Sequence, residues 1–161
     1  MLIRNVCAKD RAPIAELLSQ IDNFNGEEIE VALELIDDSL LRPEVGYRTI
    51  VSLDSTASED ERLTGYLCFG RTPMTDATVD LYWMAVAPNL QGKGIGRALV
   101  DAFEVIMAEE GMRIIRVETS TREGYGKTLD FYLRLNYLEV GRILNFYTDD
   151  DHLVTLIKVL S

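Results

Sequence analysis

The sequence predicts a single α/β domain over residues 1–161, with a mixed central sheet of about seven strands and about four helices. Three observations lead there. Runs of β-forming residues are interspersed with segments of helical periodicity. One helical segment separates the fourth strand from the fifth, which makes that pair parallel, since a parallel pair needs a long crossover. Between the fourth strand and that helix stands Gln91-Gly-Lys-Gly94-Ile-Gly96, a tight glycine-rich loop.

Taken in order, residues 2–6 read as the first strand, and Asp10 is placed to cap the helix in which Ile14, Leu17, Leu18 and Ile21 recur, with Pro13 tolerated in its first turn. The segment from Asn23 to Gly26 interrupts the pattern. A second helix from about Glu27 puts Ile29, Leu33, Ile36 and Leu40 on one face and six carboxylates, from Glu27 to Asp38, on the other, and Pro43 marks its end. Residues 47–53 and 63–71 form an antiparallel hairpin around the polar tract 54–62. After a turn at 72–76, residues 78–86 supply the central strand. Leu99, Phe103, Ile106 and Met107 make the apolar stripe of the third helix, and Gly111 is its C-cap. A strand at 114–118 follows, then a helix at 129–135 ended by Asn136 in the left-handed conformation. Final strands at 138–147 and 153–160 flank an acidic turn at 148–152.

The loop carries the strongest functional signal. Gly92, Gly94 and Gly96 lack Cβ atoms, so the backbone can take left-handed angles and a ligand can lie directly against it. The first amides of the following helix have no intrahelical partner and sit at its electropositive end, which suits a phosphate or pyrophosphate. Lys93 and Arg97 add local positive charge in a chain whose net charge is -11. The string is neither a P-loop, which needs G-x-x-x-x-G-K-[ST], nor the dinucleotide fingerprint G-x-G-x-x-G. A purely structural glycine turn is the alternative.

Composition acts by exclusion. With 27 acidic against 16 basic residues and no basic stripe, nothing is available to neutralise a nucleic-acid backbone, so no nucleic-acid partner is expected. The acidic surplus favours a cationic substrate such as an amine, or simply solubility. Cys7 and Cys68 are too few and too distant for a disulfide framework or a zinc site, and are read as reduced core residues. His152 beside Asp149, Asp150 and Asp151 lacks the further ligands a metal needs and reads as a solvated hairpin turn; no metal is expected. The opening residues lack a long apolar region and no run of 18 apolar residues occurs, so a cytoplasmic location without membrane contact is expected.

The loop, preceded by Met84-Ala-Val-Ala-Pro88 and followed by Arg97-Ala-Leu-Val100, matches Q-x-x-G-x-G and strongly resembles the acyl-coenzyme A motif of the GNAT superfamily of N-acetyltransferases. A second match is Thr128-Leu-Asp-Phe131-Tyr132-Leu-Arg-Leu-Asn136-Tyr137, which resembles that family's A-x-x-[FL]-Y-x-x-x-G-F helix. The departures are Thr128 for Ala, Asn136 for Gly, Tyr137 for Phe, and Tyr125 where many members carry Asn.

The resemblance implies a GNAT-like fold and transfer of an acetyl group from acetyl-coenzyme A directly to a primary amine. It assigns the pyrophosphate to Gln91, Gly92, Lys93, Gly94, Ile95, Gly96 and Arg97, and the pantetheine arm to the backbone of Met84, Ala85 and Val86. A protonated amine must lose a proton and the departing thiolate must gain one. Tyr132 is the candidate acid, where the family often places a phenol near the coenzyme sulfur; the alternative is a packing tyrosine. Asp80 is the candidate base. Strand alternation puts it on the face of Tyr82 and Met84 unless a bulge intervenes, and the alternative is a strand-end carboxylate in water. If Asp80 faces away, a water chain or Glu118 must serve. Cys7 or Cys68 as an acyl carrier lacks a nearby histidine or cationic neighbours.

The acceptor, a small molecule or a peptide, is not legible in the sequence, nor is the oligomeric state, for which a homodimer is allowed. A coenzyme-binding sensor without catalysis is the rival reading.

Overall fold

The computed structural model describes residues 1–22, 24–56, 62–122 and 126–161. In chain order the elements are β1 (Leu2–Asn5), α1 (Arg11–Ser19), α2 (Gly26–Leu41), β2 (Tyr47–Asp54), β3 (Arg62–Arg71), β4 (Thr78–Val86), α3 (Ile95–Glu109), β5 (Ile114–Ser120), α4 (Gly126–Arg134), β6 (Leu138–Thr148) and β7 (Asp151–Val159). Asn23, the centre of the 54–62 tract and Tyr125 lie outside the described residues.

The seven strands form one sheet in the order β1-β2-β3-β4-β5-β7-β6. Every pair is antiparallel except β4–β5, as the intervening helix requires. Two apolar cores result, one on each face. On one side α3 and α4 bring Leu99, Phe103, Tyr132 and Leu135 onto Leu67, Leu81 and Val117. On the other, α1 and α2 bring Ile14, Leu18 and Ile36 onto Val51, Tyr66 and Ala85. Completely buried side chains such as Phe103 and Leu99 are each worth about 1.5–3 kcal/mol in removal from water.

Helix boundaries follow local chemistry. Asn25 caps α2, its Oδ1 accepting from the Glu28 amide at 2.9 Å while the Glu28 carboxylate accepts from the Asn25 amide at 3.1 Å. Gly111 ends α3 at φ +77°, and Asn136 takes φ +66° after α4. Asp10 does not cap α1 through its side chain. Its carboxylate turns back to accept from the Cys7 amide at 2.8 Å and from Arg4 at 2.7 and 3.0 Å, because a 3-10 turn at Ala8–Asp10 precedes the helix.

Two expectations are corrected at the last hairpin. The turn is shorter than 148–152, since Asp151 and His152 already belong to β7. Neither is simply solvated. Asp151 is buried and accepts from the Ser120 hydroxyl and from the Arg122 amide at 3.1 Å. His152 Nδ1 accepts from the Asn145 amide at 2.9 Å, which pins an irregular stretch of β6 with Asn145 at φ +54°.

Two features of β4 position the site. Cys68 pairs with Trp83 but Phe69 pairs with Leu81, so Tyr82 is an extra residue, a β-bulge. The bulge switches faces. Val79, Leu81, Met84 and Val86 all meet the α3/α4 core, Trp83 and Ala85 meet the α1/α2 core, and Asp80 shares the latter face rather than that of Met84. The second feature is the end of the parallel ladder. Pairing of β4 with β5 runs from Thr78↔Ile114 to Leu81↔Val117 and stops, after which β5 pairs only with β7. The two strands part there and leave the edge of Tyr82–Val86 open on that side.

Candidate active site

The glycine loop lies where β4 ends. A 3-10 turn at Pro88–Leu90 redirects the chain, and Gln91 Nε2 donates back to the Val86 carbonyl at 3.4 Å. Gly92 and Gly94 sit at φ +77° and +83°, angles that L side chains resist, and Gly94 is the N-cap of α3. No side chain caps α3, and the first recorded backbone bond across the cap runs from the Ala98 amide to the Gly94 carbonyl. The amides of Ile95, Gly96 and Arg97, at the first turn of α3, therefore have no intrahelical partner. Gly96 plays a different part. A Cβ there would meet the Phe131 ring at 3.5 Å and Val86 at 3.7 Å, so the two sequence motifs, loop and α4, pack on each other.

Lys93 is exposed at the rim. Arg97 is exposed as well and only loosely tied to Asp101, at 3.7 Å.

Tyr132 is buried on the α3/α4 side, its ring edge-on to Phe131 at 5.2 Å and to Tyr137 at 5.3 Å. Burial pushes its phenol well above the ordinary tyrosine range, so the proton is retained at every physiological pH. Tyr137 in turn donates to Glu104 Oε1 at 3.1 Å, and Lys158 Nζ holds the same carboxylate at 2.7 Å. These contacts fix the floor under Tyr132.

Asp80 lies on the opposite face, buried, and both of its oxygens are engaged. Oδ1 accepts from Arg116 Nε at 2.6 Å; Oδ2 accepts from Arg116 Nη2 at 3.1 Å and from the Thr72 hydroxyl at 2.8 Å. The bulged Tyr82 hydroxyl stands 3.5 Å from the same Oδ2. Burial, with the Asp80 charge second, raises the Tyr82 phenol to about 12. Gly70 makes room for that ring, since a Cβ there would come within 3.2 Å of Tyr82 Cε2, and Tyr47 packs edge-on to it at 5.3 Å.

Glu118 projects on the same face as Arg116, two residues further along β5, past the last paired residue of β4. It is exposed, with Oε1 3.9 Å from Arg116 Nη1. Arg122 joins Glu28 at the start of α2 at 2.9 Å. Burial raises the Tyr147 phenol, and the neighbouring charges of Glu118 and Asp151 add to the effect.

Sequence reasoning did not find Arg116 or Thr72. The signal for Arg116 was a lone cation inside an apolar strand, but its partner depends on the parallel register. Cys68 is free and buried, and burial raises its thiol to about 11, unsuited to a nucleophile. Cys7 is also free; its Sγ lies 3.5 Å from Arg4 Nη1, so it does have one cationic neighbour. Among the described residues no group of three or more histidine, cysteine or carboxylate side chains is placed to hold a metal, and no helix is long and apolar enough to cross a membrane.

A splayed β4–β5 pair, an uncapped glycine-rich helix start at its mouth and a buried tyrosine beside it define the class, an acyltransferase fold of the GNAT type. The family model of the acetyltransferase (GNAT) family matches residues 14–137, and the chain belongs to that family. It is similar over its length to a solved structure from Desulfovibrio desulfuricans described as an acetyltransferase of the GNAT family, with 31% identity, 99% of each chain covered and a TM-score of 0.91. More distant folds include an aminoglycoside 6'-N-acetyltransferase complexed with coenzyme A, at 17% identity, 100% and 98% coverage and TM-score 0.73. The ribosomal-protein-S18-alanine N-acetyltransferase of Escherichia coli is a third, at 15% identity, 99% and 94% coverage and TM-score 0.77. No protein of curated function matches the sequence.

Proposed function

We propose that the protein transfers an acetyl group from acetyl-coenzyme A directly to a primary amine. The observation that carries this reading is the coincidence, at one point, of the uncapped start of α3 and the open edge of β4. The amides of Ile95, Gly96 and Arg97, together with the Gln91–Gly94 turn and the Lys93 side chain, suit the pyrophosphate. Backbone groups of Met84, Ala85 and Val86, left without β5 as partner, suit the amides of the pantetheine arm. When bound, the coenzyme supplies a thioester already activated for attack, so no protein nucleophile is required, in keeping with the high pKa of Cys68.

Tyr132 and the carboxylates flank the opening from opposite faces of the sheet, which suits separate proton donor and acceptor roles. Tyr132 keeps its proton and its Oη is the donor to the departing sulfur. Asp80 has both oxygens held, by Arg116 and by the Thr72 hydroxyl, and its carboxylate is directed at those partners. We therefore assign Asp80 to positioning Arg116 and Tyr82, and the acceptance of the amine proton to Glu118, directly or through water. Glu28, Glu118 and Asp151 around the opening favour a cationic acceptor. In vivo this activity calls for a soluble intracellular setting where acetyl-coenzyme A is available.

Calorimetry with coenzyme A and acetyl-coenzyme A, followed by amine-dependent thiol release across a panel of small amines and peptides, tests the reading. Absence of coenzyme binding by the folded protein overturns it. Binding without thiol release for any amine transfers the assignment to a coenzyme-sensing module.

A further inference from the structure

Arg116 and Glu118 stand side by side on β5 with a gap between their charged ends. Residues two apart on a strand share a face, so both lie on the side of the sheet where Asp80 sits. Arg116 commits only part of its guanidinium to Asp80: Nε and Nη2 donate to the carboxylate at 2.6 and 3.1 Å, and Nη1 makes no hydrogen bond among the described residues. Its separation from Glu118 Oε1 is 3.9 Å, beyond hydrogen-bond reach, and the Glu118 carboxylate accepts no hydrogen bond among the described residues either. The two side chains are 40% and 47% exposed, so both ends are open to a ligand. Their register partners on β7, Ile157 and Thr155, add no charge.

A charged donor and a charged acceptor held slightly too far apart suit a ligand that carries the complementary pair at fixed spacing. The nitrogen and the carbonyl oxygen of an α-amino carbonyl group lie about 3 Å apart, set by three covalent bonds. The amine then meets Glu118 while the oxygen meets Arg116 Nη1, both as charge-assisted hydrogen bonds. Charge selects between an amide and an acid. Asp80 already neutralises Arg116, so an ammonium at Glu118 balances the three groups, whereas a carboxylate on the ligand leaves one negative charge unmatched. Basicity points the same way. A peptide-like α-amine titrates at about 7.7–8.0 against about 10.4 for an alkylamine, so far more of it is already neutral at pH 7. That suits a site where the buried carboxylate of Asp80 is taken up by Arg116 and Thr72.

Resting on the acetyl-transfer reading above, we propose that Arg116 is the specificity-determining residue of the acceptor site. Its Nη1 takes the carbonyl oxygen next to the reacting amine while Glu118 takes the amine, so the preferred acceptors are α-amino amides, either small or at the start of a peptide chain. Asp80 acts on specificity through Arg116, holding the guanidinium by Nε and Nη2 so that Nη1 is the end left for the ligand.

Amine-dependent thiol release with alaninamide, alanine, isopropylamine and an alanine-initiated tripeptide amide tests this, each kcat/KM being expressed per free-base amine. Alaninamide and isopropylamine differ only in the amide that replaces one methyl group. The wild type is expected to favour alaninamide over both isopropylamine and alanine by about tenfold to a hundredfold, the worth of one hydrogen bond to a charged group. Whichever of alaninamide and the tripeptide turns over faster identifies the source of the shared group. In Arg116→Lys, which keeps a cation beside Asp80 but lacks the fork, the preference for alaninamide over isopropylamine is expected to fall at least about fivefold. The ratio of their dissociation constants, measured by calorimetry on protein saturated with coenzyme A, is expected to fall with it, and urea unfolding establishes that the variant is folded. A wild type that acetylates isopropylamine or alanine as well as alaninamide, or a folded Arg116→Lys that keeps the full preference, overturns the proposal and leaves the transfer reading in place. Absence of thiol release from every amine overturns both.

Discussion

Asp80 and Arg116 are register partners in the last stretch of parallel pairing before β4 and β5 part, joined by hydrogen bonds of 2.6 and 3.1 Å. The ion pair closes the crotch of the opening from the α1/α2 face, with Thr72 and the bulged Tyr82 completing the shell around the carboxylate. A bidentate guanidinium–carboxylate pair fixes orientation as well as charge.

Asp80→Asn removes the closer of the two carboxylates beside Arg116 and leaves only the longer contact to Glu118, and is expected to destabilise the fold by about 1–3 kcal/mol in urea unfolding. Its activity should fall without a change in the shape of the pH–rate profile. Glu118→Gln, at an exposed position, is expected to leave stability within ~0.5 kcal/mol and to lower kcat/KM by about 10²–10⁴. The reverse pattern would return the proton-acceptor role to Asp80.

Tyr132→Phe retains the ring that packs on Phe131 and Tyr137 and removes only the phenol proton. The expected outcome is a fall in kcat of about 10²-fold or more with coenzyme affinity within about twofold of wild type. A matching loss of affinity would make the residue a binding contact instead.

The three loop glycines are not equivalent. Gly94→Ala must hold a side chain at φ +83° and is expected to cost about 1–2 kcal/mol and to weaken coenzyme binding. At Gly96 a methyl group meets Phe131 at ordinary contact distance, so Gly96→Ala is expected to be neutral or to stabilise the unliganded protein by up to about 1 kcal/mol. Thermal unfolding of the pair of variants separates the two roles.

Asp10 provides an acid-sensitive link between β1 and α1. Burial raises its carboxyl, but the Arg4 guanidinium and the Cys7 amide outweigh it and hold the group below its ordinary 3.8. A depressed folded-state value gives stability that is complete above about pH 4 and is lost as pH falls through that lower value. Asp10→Asn is expected to cost about 1–3 kcal/mol at pH 7, and its deficit relative to wild type should shrink below pH 4 in urea titrations.

Much of the site was legible because its chemistry is local. Three glycines at alternate positions between a strand and a helix imply amides with no intrahelical partner, and the helix bearing Tyr132 is specified by its own pattern. The environment of Asp80 was not legible. One extra residue at Tyr82 reverses the inside–outside alternation of β4, and bulge positions depend on cross-strand pairing that periodicity does not contain. Asp151 read as part of a polar turn for a related reason: its partners, Ser120 and the Arg122 amide, come from β5 and the loop behind it, some thirty residues away.

By itself the sequence determined the order of strands and helices, the parallel crossing between the fourth and fifth strands, and the glycine turn that leaves the start of the third helix uncapped. These follow from periodicity, turn chemistry and unpaired amides, all of which act within a few residues. Only the tertiary structure decided that Asp80 is locked to Arg116, that Glu118 stands open beyond them, and that β6 is left uncovered at the edge of the sheet. Those outcomes depend on which strands become neighbours and in what register, and that is settled by the packing of two cores against one sheet.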